Sequence, residues 1–402
     1  MLSKQTPNKI KAFSQFLTLL AVLCFQLVGI PVYASGGHEG EKFNAGAMIV
    51  HHISDAHSIH FFGDVTLPLP CIVKTDKGFD FFMSSVFMND HHEFTNTYTS
   101  ASTGNTYELH HEKIYTVDPT HTSEVHEAEV HADNSMVTTA DSLASAQAAP
   151  ADAHEEFHGH PVMDFSITKS VFGMLLMLLL VLFLFSRVAK AYEKRKGQAP
   201  KGMQNMLEPF VLFIKDEVAI PALGKKRAQR FLPFMLTSFF FIWASNMLGL
   251  IPFLGGFNIT GTLSITLVLA TFVFILTTIN GNAHYWGHIV WPPGVPLVIK
   301  FILVPIEFLS IFIKPAVLMI RLTANINAGH IIILAFTSLI FIFGEKSVVA
   351  GYGVGVFSTL FIVFMFFIEL LVAFLQAYVF TLLAALYFGD ATQEHHHEEA
   401  HH

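Results

Sequence analysis

The run MIRLTANINAGH lies inside a largely apolar stretch from Leu297 to Gly344, and it contains Arg321. A guanidinium keeps its proton in a protein because its pKa exceeds about 12. At the middle of a membrane helix such a charge costs at least roughly 2.5–3.5 kcal/mol. A cation kept at that depth implies a partner across an interface that needs a permanent positive charge. Glu307, Lys314, Arg321 and Asn325 recur at offsets of seven, seven and four. On a helix they fall within roughly 40° of one another. His330, nine residues past Arg321, lies about 180° round the same helix. In the next apolar stretch Glu369, Gln376 and Tyr387 share one face. Charged and amide side chains in such stripes point to protein or water rather than lipid, and they mark an ion or substrate path. Plainer roles stand beside this one. Lys314 can snorkel to an interface with Glu307 as its companion. Asn325 and Gln376 can bind helices together, and Tyr387 suits an interfacial anchor. For Arg321 a purely structural role is the weaker alternative, because helix packing does not need an obligate cation.

The elements that must position these residues follow from composition. The chain has 402 residues, 52% of them hydrophobic and 41 of them Phe, with a mean hydropathy of +0.51. Those values exclude a disordered or ordinary soluble protein and indicate an integral membrane protein. The apolar segments predict an all-α polytopic fold with five membrane-crossing helices. These are Ser166–Phe185, Phe231–Phe253, Thr262–Ile279 and two very long segments, about 297–344 and 352–388. A helix of about 45 residues would be roughly 65 Å long, against a hydrocarbon core about 30 Å thick. The last two are therefore expected to tilt strongly, bend, or run partly along the membrane. Met203–Ala222, interrupted by Lys215, Asp216 and Glu217, reads as an interfacial amphipathic helix.

Charge is segregated along the chain. Residues 35–165 carry 20 Asp/Glu against 4 Lys/Arg, whereas residues 187–230 carry 11 of the 23 Lys/Arg. By the positive-inside rule the first segment is expected outside a bacterial inner membrane and the second in the cytoplasm, as is the C-terminus. Residues 1–34 read as a signal peptide: Lys4, Lys9 and Lys11, an apolar run Phe13–Ile30, then Val32-Tyr33-Ala34. An uncleaved first helix is the alternative. Cleavage would leave Cys71 as the one cysteine and allow no intrachain disulfide. Residues 35–117 are expected to form a small, acidic, His-rich, β-containing extracytoplasmic domain. Strand-like runs Ile59–Phe62 and Asp80–Phe87, turns at Gly63-Asp64 and Lys77-Gly78, and a core of Phe61, Phe62, Phe79, Phe81 and Phe82 support it. Residues 118–165 read as a flexible linker, because 118–158 hold almost no large apolar residues. Residues 166–389 make up the membrane domain and 390–402 a His/Glu-rich tail.

With these residues placed, roughly residues 165–390 resemble subunit a of the membrane sector of F-type ATP synthases. The resemblance rests first on Lys314-Pro315, Arg321-Leu322, Asn325 and Ala328-Gly329, and next on Leu375-Gln376-Ala377-Tyr378-Val379-Phe380. Supporting matches are Gln204-Asn205, Glu208, Arg230-Phe231, Pro233-Phe234 and Asn246-Met247-Leu248-Gly249-Leu250-Ile251-Pro252. Family members commonly carry a carboxylate just after Ala-Gly and a histidine seven residues before the glutamine. Here His330 and Glu369 occupy those positions, exchanged, which keeps one imidazole and one carboxylate for proton handling. Residues before 165 match nothing in the family's common core.

The resemblance implies a non-catalytic stator subunit of a proton-translocating complex, with no cofactor and no metal. Its partners would be the c-ring, b-type peripheral stalk subunits and lipid, with no nucleic acid. Arg321 would separate two proton half-channels and face the carboxylate of the passing c subunit. Glu369 and His330 would suit the entry path, and Glu307 and Lys314 the exit, with Asn325, Gln376 and Tyr387 also along the proton path. The rival reading is a transition-metal transporter, drawn from 23 histidines, 15 of them between His38 and His160. It lacks ligands at mid-membrane, where the predicted helices offer only His330. The outer histidines alone leave three readings: metal binding, proton buffering, or plain solvated surface.

Overall fold

The computed structural model describes residues 45–60, 66–87, 97–110, 112–117, 159–251, 256–292 and 294–393. The expected signal peptide, residues 118–158 of the expected linker, Phe61, Phe62, the Gly63-Asp64 turn and the tail beyond Gln393 lie outside the described residues. The chain divides into two units, a helical one and a smaller one built from short strands.

The strand unit spans 56–60 and 66–169. Its strands are β1 (Ser58–His60), β2 (Thr66–Pro68), β3 (Pro70–Thr75), β4 (Gly78–Met83), β5 (Thr97–Thr99), β6 (Thr106–His110), β7 (Lys113–Val117), β8 (His160–Pro161) and β9 (Met163–Asp164). They form three antiparallel sheets, ordered β1-β2, β4-β3-β9 and β5-β6-β7-β8. The 3₁₀ turn Ser84–Phe87 follows β4, so the expected run to Phe87 ends as strand at Met83. Cys71, Val73, Phe87, Tyr107 and Ile114 form the core, with Phe82, Tyr98, Leu109 and Val162 packed on it.

Two expectations for this unit need correction. Phe79 and Phe81 are 53% and 71% exposed and do not join the core. Side chains alternate across a strand, and the register that buries Phe82 and Asp80 turns Phe79 and Phe81 outward. Residues 160–164 are also not linker, since β8 pairs with β7 and β9 with β3. A strand of two residues carries no period that could be read from sequence. Asp80 is buried under four hydroxyls: Ser100 (2.7 Å), Thr103 (2.5 Å), Tyr107 (2.5 Å) and Ser102. Burial raises its pKa, but these donors outweigh that and hold the carboxyl down at about 2.

The helical unit begins with α1 (Ala45–Ile53) and continues with α2 (Lys169–Lys194), α3 (Met203–Phe213), a π-helical segment Ile214–Ala219, α4 (Ile220–Gly249), α5 (Leu263–Ile279), α6 (Ala283–Val290), α7 (Leu297–Lys346) and α8 (Val348–Thr392). Four helical stretches are long and apolar enough to cross a membrane: α2, the continuous run Met203–Gly249, α7 and α8. The α5–α6 pair, bent by 100°, makes a fifth if it is counted as one span. The chain is a multi-pass membrane protein. The helix after Ser166 runs on to Lys194, past the Phe185 at which the apolar run stops, because Arg187, Lys190 and Lys194 are good helix formers. The segment expected to lie along the interface forms α3 and its π-segment, which holds Lys215, Asp216 and Glu217, and it continues into α4. Gly224, at φ 75° and ψ 155°, breaks the run before the apolar part of α4, and only glycine takes that conformation without strain.

The 50 and 45 residues of α7 and α8 are joined through Ser347 alone and pack as a hairpin. At 1.5 Å per residue α7 is about 75 Å long. Pro305 and Pro315 interrupt its hydrogen-bond ladder. With little hydrophobic drive between helices in lipid, side-chain hydrogen bonds hold the bundle in register. Asn246 Nδ2 donates to the Ala373 carbonyl at 3.2 Å, and Thr260 donates to Asn246 Oδ1. Asn258 Nδ2 donates to Asn327 Oδ1 at 2.6 Å, and the Thr266 and Thr323 hydroxyls meet at 2.7 Å. Together these tie α4 to α8, and α5 with its preceding loop to α7.

Candidate functional site

The polar residues of α7 and α8 gather into three groups along the hairpin. The first pairs His330 with Glu369. His330 Nδ1 lies 3.6 Å from Glu369 Oε1, with the side chains 17% and 5% exposed. Two glycines make room for them. A Cβ on Gly329 would sit 2.7 Å from Glu369 Oε1, and one on Gly249 would sit 3.6 Å from His330 Nε2. The carboxylate thus reaches across to the α7 backbone while the imidazole turns toward the end of α4. Both Glu369 oxygens are buried without a hydrogen-bond partner among the described residues, and 3.6 Å is too long for one. Burying such a group unsatisfied costs about 1–3 kcal/mol or more, which marks a functional rather than a stabilising role.

The second group is Arg321 with Asn325, four residues on. Both are exposed, whereas Leu318, Leu322 and Ile326 on the adjoining side of α7 are buried. Among the described residues Arg321 makes no hydrogen bond or ion pair. Its flanks are apolar, with Val317 and Ile320 exposed beside it. A guanidinium in that setting needs an anion that the described residues do not supply.

The third group lies farther along the hairpin. Lys314 Nζ is 3.6 Å from Asp390 Oδ2 and 5.5 Å from the centre of the Tyr387 ring. A narrow cleft here is lined by Tyr285, Ile311, Lys314, Pro315 and Tyr387. Glu307, two helical turns before Lys314, is half-buried, and its carbonyl accepts from Ser310 Oγ at 2.7 Å. The end of α8 is clamped beside this group. Asn282 N donates to the Ala391 carbonyl at 2.9 Å, Asn282 Nδ2 to the Thr392 carbonyl at 3.0 Å, and Arg227 to the same Thr392 carbonyl. Gln376, buried on α8, stands two turns from Glu369.

The sequence therefore located Glu307, Lys314, Arg321, Asn325, His330, Glu369, Gln376 and Tyr387 on the right helices. The His330 side chain faces away from Arg321, as the helical angle requires. Lys314 is not a lone snorkelling residue, for it has Asp390. Reasoning from sequence missed Asp390 and Asn327, and it named Gly329 only as part of the Ala328-Gly329 match. Asp390 had a weak signal, three residues past Tyr387 and so on its face of α8. Asn327 had none, and the motif did not say what Gly329 makes room for, because both roles exist only where α7 meets another element. In the strand unit His57 Nε2 contacts Asp164 Oδ2 at 2.9 Å. Most of the histidines between His38 and His160 lie outside the described residues. Among those described, no three His, Cys, Asp or Glu side chains gather as a metal site.

Comparison with known proteins bears on the same residues. The family model for the ATP synthase A chain matches residues 171–389, which hold all three groups apart from Asp390. A second model, a domain of unknown function (DUF8433), matches residues 48–139. ATP synthase subunit a of Chloroherpeton thalassium is 40% identical over 245 residues, covering 59% of this chain and 70% of that protein. The subunit a of Pelodictyon phaeoclathratiforme is 40% identical over 243 residues, covering 59% and 68%. ATP synthase subunit a 2 of Chlorobaculum tepidum is 42% identical over 244 residues, covering 59% and 66%. On the match across its membrane helices, the chain belongs to the ATP synthase subunit a family.

Proposed function

We propose that this chain is the stator subunit that forms two proton half-channels against the c-ring of a rotary ATP synthase. The observation that carries this reading is Arg321: an obligate cation, exposed on a membrane helix, without a counter-ion among the described residues of its own chain. A ring of carboxylates passing that face would supply the missing anion in turn. The guanidinium lowers the pKa of each carboxylate it meets and keeps it ionised between the half-channels. It also opposes a hydronium ion on a direct path, so the gradient is not short-circuited. Lysine would serve less well, because burial lowers its pKa and it could relay protons itself.

The remaining residues take their roles from their places on the hairpin. Glu369 and His330 form the entry station, where a buried carboxylate lacking hydrogen bonds can accept and release a proton beside an imidazole. Lys314, Tyr387 and Glu307 line the exit, with Asn325 and Gln376 between the two ends. Segregated charge gives the orientation: the acidic strand unit faces the periplasm, and the basic stretch 187–230 and the C-terminus face the cytoplasm. The b-type stalk subunits hold the chain against rotation. Inverted vesicles test the reading directly. Arg321→Ala should abolish ATP-driven proton pumping while the complex still assembles. Pumping at the wild-type rate would overturn it.

A further inference from the structure

The sheet β4-β3-β9 has two unlike faces, and only one of them belongs to the core. Its register sets Cys71 opposite Phe82 and Val73 opposite Asp80 on the inner face. It sets Ile72 opposite Phe81 and Lys74 opposite Phe79 on the other, with Met163 of β9 beside Lys74. Phe165 joins this outer face, its amide donating to the Ile72 carbonyl at 2.8 Å. Phe79, Phe81, Met83, Met163 and Phe165 are exposed by 53%, 71%, 43%, 63% and 58%. Scattered apolar residues on a surface need no explanation, but five on the two sides of β3, three along β4 and two at β9 and its end, mark an interaction surface.

We propose that this outer face is a lipid-contact surface that lies on an anionic membrane. Three observations select lipid as the occupant. Phe165 stands four residues before Lys169, where the first membrane-length helix begins, so even extended chain keeps it within about 14 Å of that point. The face is made of Phe and Met with lysine at its edge, the pattern of an interfacial element whose apolar side enters the headgroup boundary. Charge adds the third. Residues 35–165 carry 20 Asp/Glu and 4 Lys/Arg, yet two of those four, Lys74 and Lys77, are exposed at this edge, with Asp76 the one acid between them. Lys74 Nζ lies 5.7 Å from the Phe79 ring centre. A lysine so placed lays its stem on the aromatic surface and offers its ammonium to a lipid phosphate.

The competing occupants are another subunit and a second copy of this chain, and one experiment separates them from lipid. The full chain, in its assembled complex, is placed in nanodiscs containing anionic phospholipid. It carries Cys24→Ser and a bimane-labelled Phe81→Cys, and Lys113→Cys, an exposed position on β7, serves as the reference. Cys71 stays unlabelled because it is buried. Lipids bearing a doxyl group near the headgroup should remove about half or more of the emission at position 81 and little at 113. Aqueous iodide should do the reverse. Lys74→Glu combined with Lys77→Glu should weaken the lipid quench. Equal iodide quenching at both positions, with no lipid quench, overturns the proposal. So does a photo-crosslink from position 81 to a protein chain in the absence of lipid quenching. A quench indifferent to the two lysine substitutions overturns the assignment of anionic lipid.

Discussion

Replacing Gly329 by alanine should slow proton translocation about fivefold or more while leaving assembly intact. The added Cβ would lie 2.7 Å from Glu369 Oε1, 3.1 Å from its Cδ and 3.3 Å from its Cγ. Ordinary contact begins at about 3.5 Å, so the carboxylate must move by roughly 0.8 Å. Glu369 is only 5% exposed, and on the far side of its partner Gly249 already approaches His330. Overpacking at such a site costs about 1–3 kcal/mol. Should that cost fall on the proton-transfer step, each 1.4 kcal/mol slows it about tenfold. The expected loss is therefore roughly fivefold to a hundredfold. The assay is ATP-driven acidification of inverted vesicles, normalised to assembled complex. Gly329→Ala at the wild-type rate, with normal assembly, would refute the claim that the α7–α8 approach at Glu369 governs the rate.

The remaining predictions concern other parts of the chain. Lys314→Gln and Asp390→Asn should each slow pumping, and the double variant should be no slower than the worse single one; multiplicative losses would show that the 3.6 Å pair does not act as a unit. Asp80, held at about 2 against an ordinary 3.8, stabilises the strand unit above its unfolded value, and that stabilisation is lost as pH falls through about 2. It is worth about 2 kcal/mol. Peptic fragments from 66–117 should thus appear only as the pH drops from about 4 toward 2, and cleavage beginning near pH 6 would count against the hydroxyl cage. The Cys71 thiol, pushed by burial to about 12, should resist alkylation at pH 8, where roughly one thiol in ten thousand is ionised, until the unit is unfolded. Rapid labelling of the native chain, read by mass spectrometry, would disprove its burial.

Spacing along one helix was enough to put the charged and amide residues of α7 and α8 on their faces, because angular position follows from 3.6 residues per turn alone. Hydropathy gave the crossings for the same reason: the length of an apolar run is a local property. The family could be read from Arg321, Asn325 and Gln376, whose types are costly in lipid and rarely coincide. Register between elements was not legible. Phe79 and Phe81 look like core in the string FDFFM, yet the pairing that buries Cys71 and Val73 turns them outward and puts Asp80 inside. Hydroxyls from 20 to 27 residues away in the chain make that burial tolerable, and nothing near Asp80 announces them. Lys314 finds Asp390 across 76 positions, and Glu369 finds the space left by Gly329 across 40. Chemistry and membrane topology are thus written residue by residue. Which groups meet is a property of helices and strands packed against each other, and only the tertiary structure decides it.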